Sequence, residues 1–306
     1  MIRAGIIGGT DPIAGELLSI LINHPDVEIA WVNAPNAIGS LISDTHKGLI
    51  GETYLRFTDS IDFNNIDVLF LCTTDGRSKA LLSTAIIPEK LKIVDLSGDF
   101  RIDGADSNFV YGLPELNRKV LVRGAVRASV PSSMANVLAL ALLPLAKNLL
   151  LNSPITAVAV TSTTDPVVID RPIGHRQVEE LRATLESLQT SFSAPLTFTP
   201  IRGTHSRGIH AVAYMQCPLE LEDVIRLYED YYSDHSFTFV TSSMPILSDV
   251  TNTNKCLLHL AKVGDILAVT GVIDNLVKGS AGQAVHNMNL LFGLHERVGL
   301  ALKSIN

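Results

Sequence analysis

Pro131-Ser132-Ser133-Met134-Ala135-Asn136 is the stretch of this sequence best placed for chemistry. A strand-like run, Ala125 to Val130, precedes it, and a long apolar helix predicted over Val137 to Leu150 follows. The hexapeptide therefore stands at a helix N-terminus, where unpaired backbone N–H groups and the helix dipole favour an anion. The same field lowers a thiol pKa, so acyl-transferring folds place a cysteine thiolate in such a turn. Serine stands there in this chain. The plain alternative is that Ser132 or Ser133 caps the helix. With two hydroxyls at the mouth, the turn predicts a sulfate, phosphate or carboxylate bound beside Ser132 and Ser133.

A second chemical turn opens the chain. The first strand runs into Gly8-Gly9-Thr10-Asp11-Pro12, the place where a dinucleotide-binding fold seats a pyrophosphate. The spacing is not G-x-G-x-x-G. Gly8 and Gly9 suit the turn, but Asp11 sits where backbone amides would face phosphate. A carboxylate about 4 Å from a phosphate costs about 4 kcal/mol at an effective dielectric near 20. As a structural residue, Asp11 suits the cap of the first helix, with Pro12 at N1. Asn33 to Asn36, after the second strand, offers neither a ribose-binding acid nor an arginine for a 2′-phosphate.

These turns need elements to hold them. Strands are predicted at Arg3 to Gly8, Val27 to Asn33, Asp67 to Cys72 and Lys92 to Ser97, alternating with helices at Ala14 to His24 and Arg77 to Ala85. Apolar strands alternating with helices mean a parallel sheet covered on both faces. Beyond Ser133 strands dominate: Pro154 to Ser162, Leu196 to Ile201, Gly208 to Cys217, Lys255 to Lys262 and Ile266 to Ile273. Two clear helices separate them, Arg176 to Thr190 and Leu219 to Tyr231, and one more is predicted over Gly279 to Phe292. The fold class expected is α/β: a Rossmann-type parallel-sheet domain (1–130 and 280–306) plus an α+β domain with a mixed or antiparallel sheet (131–279).

The 306 residues suit two joined domains. A net charge of −7 without basic runs argues against nucleic acid. No apolar run reaches membrane-spanning length, so no membrane partner and a cytoplasmic location are expected. Cys72, Cys217 and Cys256 lie in apolar runs and read as buried thiols; with no histidine spacing joined to them, no metal is expected. The strands Gly208 to Cys217 and Ile266 to Ile273 look apolar on both faces, which predicts a homo-oligomer built through the second sheet.

Three segments carry a resemblance. Val94-Asp95-Leu96-Ser97-Gly98-Asp99-Phe100-Arg101, Val110 to Arg118 (VYGLPELNR) and Ile273 to Ala284 (IDNLVKGSAGQA) closely resemble N-acetyl-gamma-glutamyl-phosphate reductase, a relative of aspartate-semialdehyde dehydrogenase. The likeness runs from Met1 to about Leu300. It implies NADPH-dependent reduction of an acyl phosphate to an aldehyde. A cysteine attacks, phosphate leaves, hydride reduces the thioester, and a histidine handles protons.

Carried over residue by residue, the family pattern divides. Its catalytic cysteine falls on Ser133, and the preceding glycine on Ser132. Its Gly-His-Arg-His motif falls on Gly174-His175-Arg176-Gln177, leaving His175 as the remaining histidine of the pair. Its phosphate loop falls on Thr10 to Ala14 and loses both glycines; Gly8, Gly9 and Thr10 remain as cofactor-side residues. A second acid, Asp75, falls near the expected cofactor edge. Its glycine-rich substrate loop has no counterpart between Thr161 and Arg171. Ser97, Arg101, Tyr111, Glu115 and Arg207 match the substrate side, with structural alternatives in which Arg101 pairs with Asp99 or Glu115 and Tyr111 packs as a wall. Asn275 and Lys278 match the segment near the nicotinamide, though their surroundings also suit helix packing.

The leading expectation is a divergent family member without normal NADPH-dependent reductase activity. It would bind a small acidic acyl or phosphate ligand or a protein partner, with NADP binding weak or absent. One alternative is altered acyl- or phosphoryl-transfer chemistry at Ser132 and Ser133. The other is a functional NADP-dependent reductase of amino-acid biosynthesis, in the arginine pathway by resemblance.

Overall fold

A computed structural model describes residues 1–102, 108–163 and 176–304. The chain divides into two compact units, Met1–Pro131 with Ser280–Ala301, and Ser132–Gly279 with the last residues.

The first unit runs β1 (Ile2–Ile7), α1 (Pro12–Leu21), β2 (Val27–Asn33), α2 (Ile42–Thr45), β3 (Phe57–Thr58), β4 (Val68–Leu71), α3 (Arg77–Thr84), β5 (Lys92–Asp95), β6 (Val110–Tyr111), α4 (Pro114–Val122) and β7 (Arg127–Ser129). The sheet order is β3-β2-β1-β4-β5-β7-β6, and every pair is parallel. β4 is buried at every residue, as a central parallel strand covered on both faces must be. The expected Rossmann-type sheet is present. β3 and β6, of two residues each, are too short to give a periodic signal, and the mixed sequence of α4 gave none.

The second unit contains α5 (Ser133–Lys147), β8 (Ile155–Thr161), α6 (Arg176–Glu186), β9 (Leu196–Arg202), β10 (Ile209–Gln216), α7 (Leu221–Tyr232), β11 (Thr238–Val240), α8 (Leu247–Val250), β12 (Cys256–Val263) and β13 (Ile266–Ile273). Its sheet, β11-β12-β13-β10-β8-β9, is mixed. β8/β9 and β11/β12 pair in parallel, while β12/β13, β13/β10 and β10/β8 are antiparallel.

α5 is buried at every residue from Met134 to Ala146 and packs on β8, β10, β12 and β13. An all-apolar helix belongs in such a place. Pro144 inside it has no N–H for the Leu140 carbonyl; the Tyr232 hydroxyl from α7 donates to that oxygen instead. α5 begins four residues before the predicted start, because its serine-rich first turn carries no apolar period.

The expectation of two apolar faces holds for the second half of β13 but not for β10. Alternate residues of β10 are half-buried or exposed, and Tyr214 is 44% exposed. A π-turn, Val277–Ala281, follows β13 and leads into α9 (Gly282–Leu291), which returns to the first unit against α1, α4 and β5. Among the described residues no helix is long and apolar enough to cross a membrane.

Candidate functional site

The glycine turn after β1 has the backbone of a dinucleotide turn and a different occupant. Gly8 adopts φ +86, and a Cβ there would meet the Cys72 carbonyl. The Gly8 and Gly9 amides both donate to the Asn33 carbonyl (3.2 and 2.9 Å). The Asp11 amide donates to Gly8 O (2.9 Å), and Pro12 has no N–H. Asp11 Oδ1 accepts from Ile13 N–H at 2.8 Å, so Asp11 caps α1 as expected, with Pro12 in the first turn. His46 Nε2 donates to Gly9 O at 2.7 Å. Burial raises the Asp11 pKa, partly offset by the Ile13 amide and His46. Thr10 Oγ1 and the Asn36 amide lie 3.4 Å apart. The Asp11 carboxylate thus holds the Ile13 amide at the head of α1.

The same device recurs at α3. Asp99 accepts from the amides of Gly76 (2.5 Å) and Lys79 (2.9 Å), while Asp75 accepts from Gly98 N–H (2.7 Å). Beneath them Asp95, fully buried, accepts from Ser78 (2.6 Å) and from Ser97 (2.8 and 2.9 Å). Burial pushes its pKa up to about 6 against the pull of these hydroxyls and of Arg101. Ser97 is thus committed to Asp95 and to the Asp99 amide.

Arg101 corrects its expected alternatives. Its hydrogen bonds run to the carbonyls of Val130 (2.8 Å) and Leu96 (3.0 Å), tying the ends of β7 and β5 together. The motif segments of the resemblance also meet one another. Gln283 and Asn287 on α9 both donate to the Gly112 carbonyl, between Tyr111 on β6 and buried Glu115 on α4. Arg118 and His286 converge on Glu296. Burial alone would raise the Glu296 pKa, but His286 and Arg118 outweigh it and hold it low.

In the second unit, Ser132 precedes α5 but its side chain makes no cap hydrogen bond to the helix. Instead, Ser132 N–H donates to Glu180 Oε1 (2.9 Å) and Ser132 Oγ donates to Glu180 Oε2 (2.7 Å). Glu180 lies on the buried face of α6 and is 3% exposed. An internal carboxyl group thus lies at the helix mouth where an external anion was expected, and it takes the amide and the hydroxyl of the N-cap residue Ser132. One signal for it was readable: Glu180 sits on the stripe of Leu181, Thr184 and Leu185.

Ser133 opens α5 and lies so close to Gly279 that a Cβ on the glycine would press on its own Cβ. Asn136 Nδ2 donates to Lys278 O (2.9 Å). Its buried Oδ1 has no partner among the described residues. Lys278 is fully buried, with Nζ 6.0 Å from the Phe237 ring centre.

Arg207 and Asn275 are drawn into a structural hub. Asp274, fully buried, accepts from Arg207 Nε (3.0 Å) and from the amides of Asn252 (2.7 Å), Leu276 (2.8 Å) and Val277 (3.0 Å). Asn275 Oδ1 accepts from Gly208 N–H (2.6 Å). His175 lies outside the described residues. Cys72, Cys217 and Cys256 are buried and free, as expected, and burial raises the Cys72 thiol well above its ordinary pKa.

Comparisons with known proteins agree across the chain. Residues 3–123 match the family description "Semialdehyde dehydrogenase, NAD binding domain", and residues 170–275 match "Semialdehyde dehydrogenase, dimerisation domain". Proteins named N-acetyl-gamma-glutamyl-phosphate reductase from Parabacteroides distasonis and Phocaeicola vulgatus are 46% and 47% identical over 99% of both chains. The one from Bacteroides thetaiotaomicron is 44% identical with the same coverage. Among solved structures, aspartate semialdehyde dehydrogenase II from Vibrio cholerae superposes with a TM-score of 0.73 at 15% identity, covering 96% of this chain and 98% of its own. The enzyme with NADP from Candida albicans gives 0.69 at 14% identity, covering 95% of this chain and 98% of its own. These structures speak for the fold. The names of the full-length relatives support a working reductase better than they support the leading expectation drawn from the sequence.

Proposed function

We propose a function from one established premise: this chain belongs to the N-acetyl-gamma-glutamyl-phosphate reductase family. The reading the geometry supports best is a protein that takes the family's kind of ligand, an N-acylated acidic acyl phosphate, without its normal NADPH-dependent reduction. The head of α5 carries this reading. Serine replaces the thiol at Ser133, and the Ser132 amide and hydroxyl both end on Glu180. A serine hydroxyl is intrinsically a poorer nucleophile than a thiolate, and an oxygen ester accepts hydride less readily than a thioester. Loss of the nucleophile from a working hydrolase lowers turnover about a millionfold. The Asp11 cap supports weak or absent NADP binding.

A second reading is a working NADP-dependent reductase of amino-acid biosynthesis. It is favoured by 44–47% identity over 99% of relatives that bear that name, and it has the more direct support from the comparisons. In either reading the protein is a homo-oligomer, in keeping with the dimerisation-domain match.

The test is phosphate-dependent reduction of NADP⁺ with N-acetylglutamate semialdehyde. Turnover at an ordinary enzyme rate, on the order of 1–1000 per second, establishes the second reading and overturns the first. No turnover, with binding of N-acetylglutamate retained, establishes the first.

A further inference from the structure

We propose that Ser132 and Glu180 form a nucleophile–base pair that hydrolyses an acyl phosphate. The proposal rests on the reading that the ligand is an N-acylated acidic acyl phosphate, and it adds an activity to that reading.

The geometry is that of an activated hydroxyl. The Ser132 proton already points at Glu180 Oε2 across 2.7 Å, within the reach a general base needs. Glu180 does not swing freely, because the amide of the same serine holds its other oxygen at 2.9 Å. Glu180 is 3% exposed on a helix packed against α5, so the pair is shielded from bulk water. The hydroxyl is not occupied in capping α5.

Two more features of the same first turn point to a ligand. The buried amides of Met134 and Ala135 find no acceptor among the described residues. They are donors of the kind that stabilise a developing oxyanion. Asn136 Oδ1, also fully buried, lacks a donor among the described residues. A buried polar atom in that state is one a water or a ligand N–H satisfies.

The substrate class follows from the weakness of the nucleophile. A serine with a single carboxylate base suits a substrate whose leaving group departs easily, and phosphate leaving an acyl carbon is such a group. Ser132 Oγ bonds to the acyl carbon while its proton passes to Glu180 Oε2. The bond from acyl carbon to phosphate oxygen breaks, its electron pair leaves with inorganic phosphate, and that phosphate takes the proton from Glu180, which is again a carboxylate. Water then attacks the serine ester with Glu180 accepting its proton, and Oγ departs reprotonated. The sum is acyl phosphate plus water giving carboxylic acid plus phosphate. Nothing is oxidised or reduced, and no cofactor enters.

The experiment uses the full chain with acetyl phosphate and succinyl phosphate as probes, reading inorganic phosphate. Ser132→Gly removes the hydroxyl and keeps the amide bond to Glu180; Glu180→Gln keeps the shape and removes the base. Release above the buffer rate is expected from wild type, with succinyl phosphate preferred. Each variant should lower it about a hundredfold or more, the usual worth of a positioned base. Glu180→Gln should also accumulate an acyl adduct that mass spectrometry places on Ser132. Release that survives Ser132→Gly, or no release from wild type, overturns the proposal. If calorimetry then shows N-acetylglutamate bound, the ligand reading stands while the hydrolase falls; if it shows no binding, both fall. NADPH-linked turnover indifferent to Ser132→Gly overturns the proposal and leaves the working reductase.

Discussion

Asp11→Asn isolates the charge in the glycine turn. The wild-type carboxylate accepts the Ile13 amide at 2.8 Å, so a phosphate oxygen seeking that amide must come within about 4 Å of it. The repulsion is about 4 kcal/mol at an effective dielectric of 20 and about 1 kcal/mol in bulk water. Asparagine caps helices about as well as aspartate, so α1 keeps its cap and loses only a few tenths of a kcal/mol of dipole interaction. NADPH affinity should therefore rise between about fivefold and about a thousandfold, and about thirtyfold for a half-screened site. The raised Asp11 pKa adds a check. As pH falls through that pKa the carboxyl neutralises, and wild-type affinity should climb toward that of the variant. Calorimetric titration of NADPH at two pH values, with matched thermal midpoints, reads all of this. Low-micromolar affinity in the wild type, or a change under twofold in the variant, refutes the reasoning.

Asp95, fully buried with a pKa raised from 3.8 to about 6, stabilises the fold in its protonated form. That contribution, about 3 kcal/mol, is complete below pH 3.8 and lost as pH rises through 6; urea unfolding across pH 4–7 should show the slope, and Asp95→Asn should flatten it. Arg207→Met strips the charge partner from buried Asp274 and should cost about 3 kcal/mol, read as a lowered thermal midpoint; no loss would return Arg207 to the ligand. Sedimentation should give a dimer or tetramer at micromolar concentration, and a clean monomer would count against the interface expected on the second sheet.

Where burial sets the pattern, the sequence was legible. The continuous apolar run of Val68–Leu71 marked β4, and Asp11-Pro12 marked the start of α1 with its cap. Residues whose roles depend on a partner far along the chain were not. Arg101 ends on two backbone carbonyls, which have no sequence signature. Arg207 ends on Asp274, 67 residues away, and only the fold brings them together. Glu180 was the missed residue of the candidate site. Its helix was predicted and its stripe marks Glu180 as buried, but that period does not say that the acid will close the turn at Ser132, 48 residues earlier. The surroundings of Asn275 and Lys278 were expected to suit helix packing, and Gly279 against Ser133 is one instance of it.

The helix N-termini of α1, α3 and α5 share a device: Asp11, Asp99 and Glu180 each place an internal carboxylate on first-turn or cap amides. Hydrogen bonds to a charged acceptor contribute about 1.5–3 kcal/mol, so an outside anion must displace that much at each helix. Serine at position 132 strengthens the closure at α5, because its hydroxyl adds a second bond to Glu180 that a glycine could not make. The same bond is what activates the hydroxyl. Closure and activation are therefore separable consequences of one contact. Glu180→Gln weakens the plug and removes the base. Inorganic phosphate should bind this variant about tenfold or more tightly, the worth of roughly 1.4 kcal/mol, while phosphate release from acyl phosphates falls. Phosphate affinity unchanged by Glu180→Gln would mean that the carboxylate does not guard the helix mouth, whatever it does for Ser132.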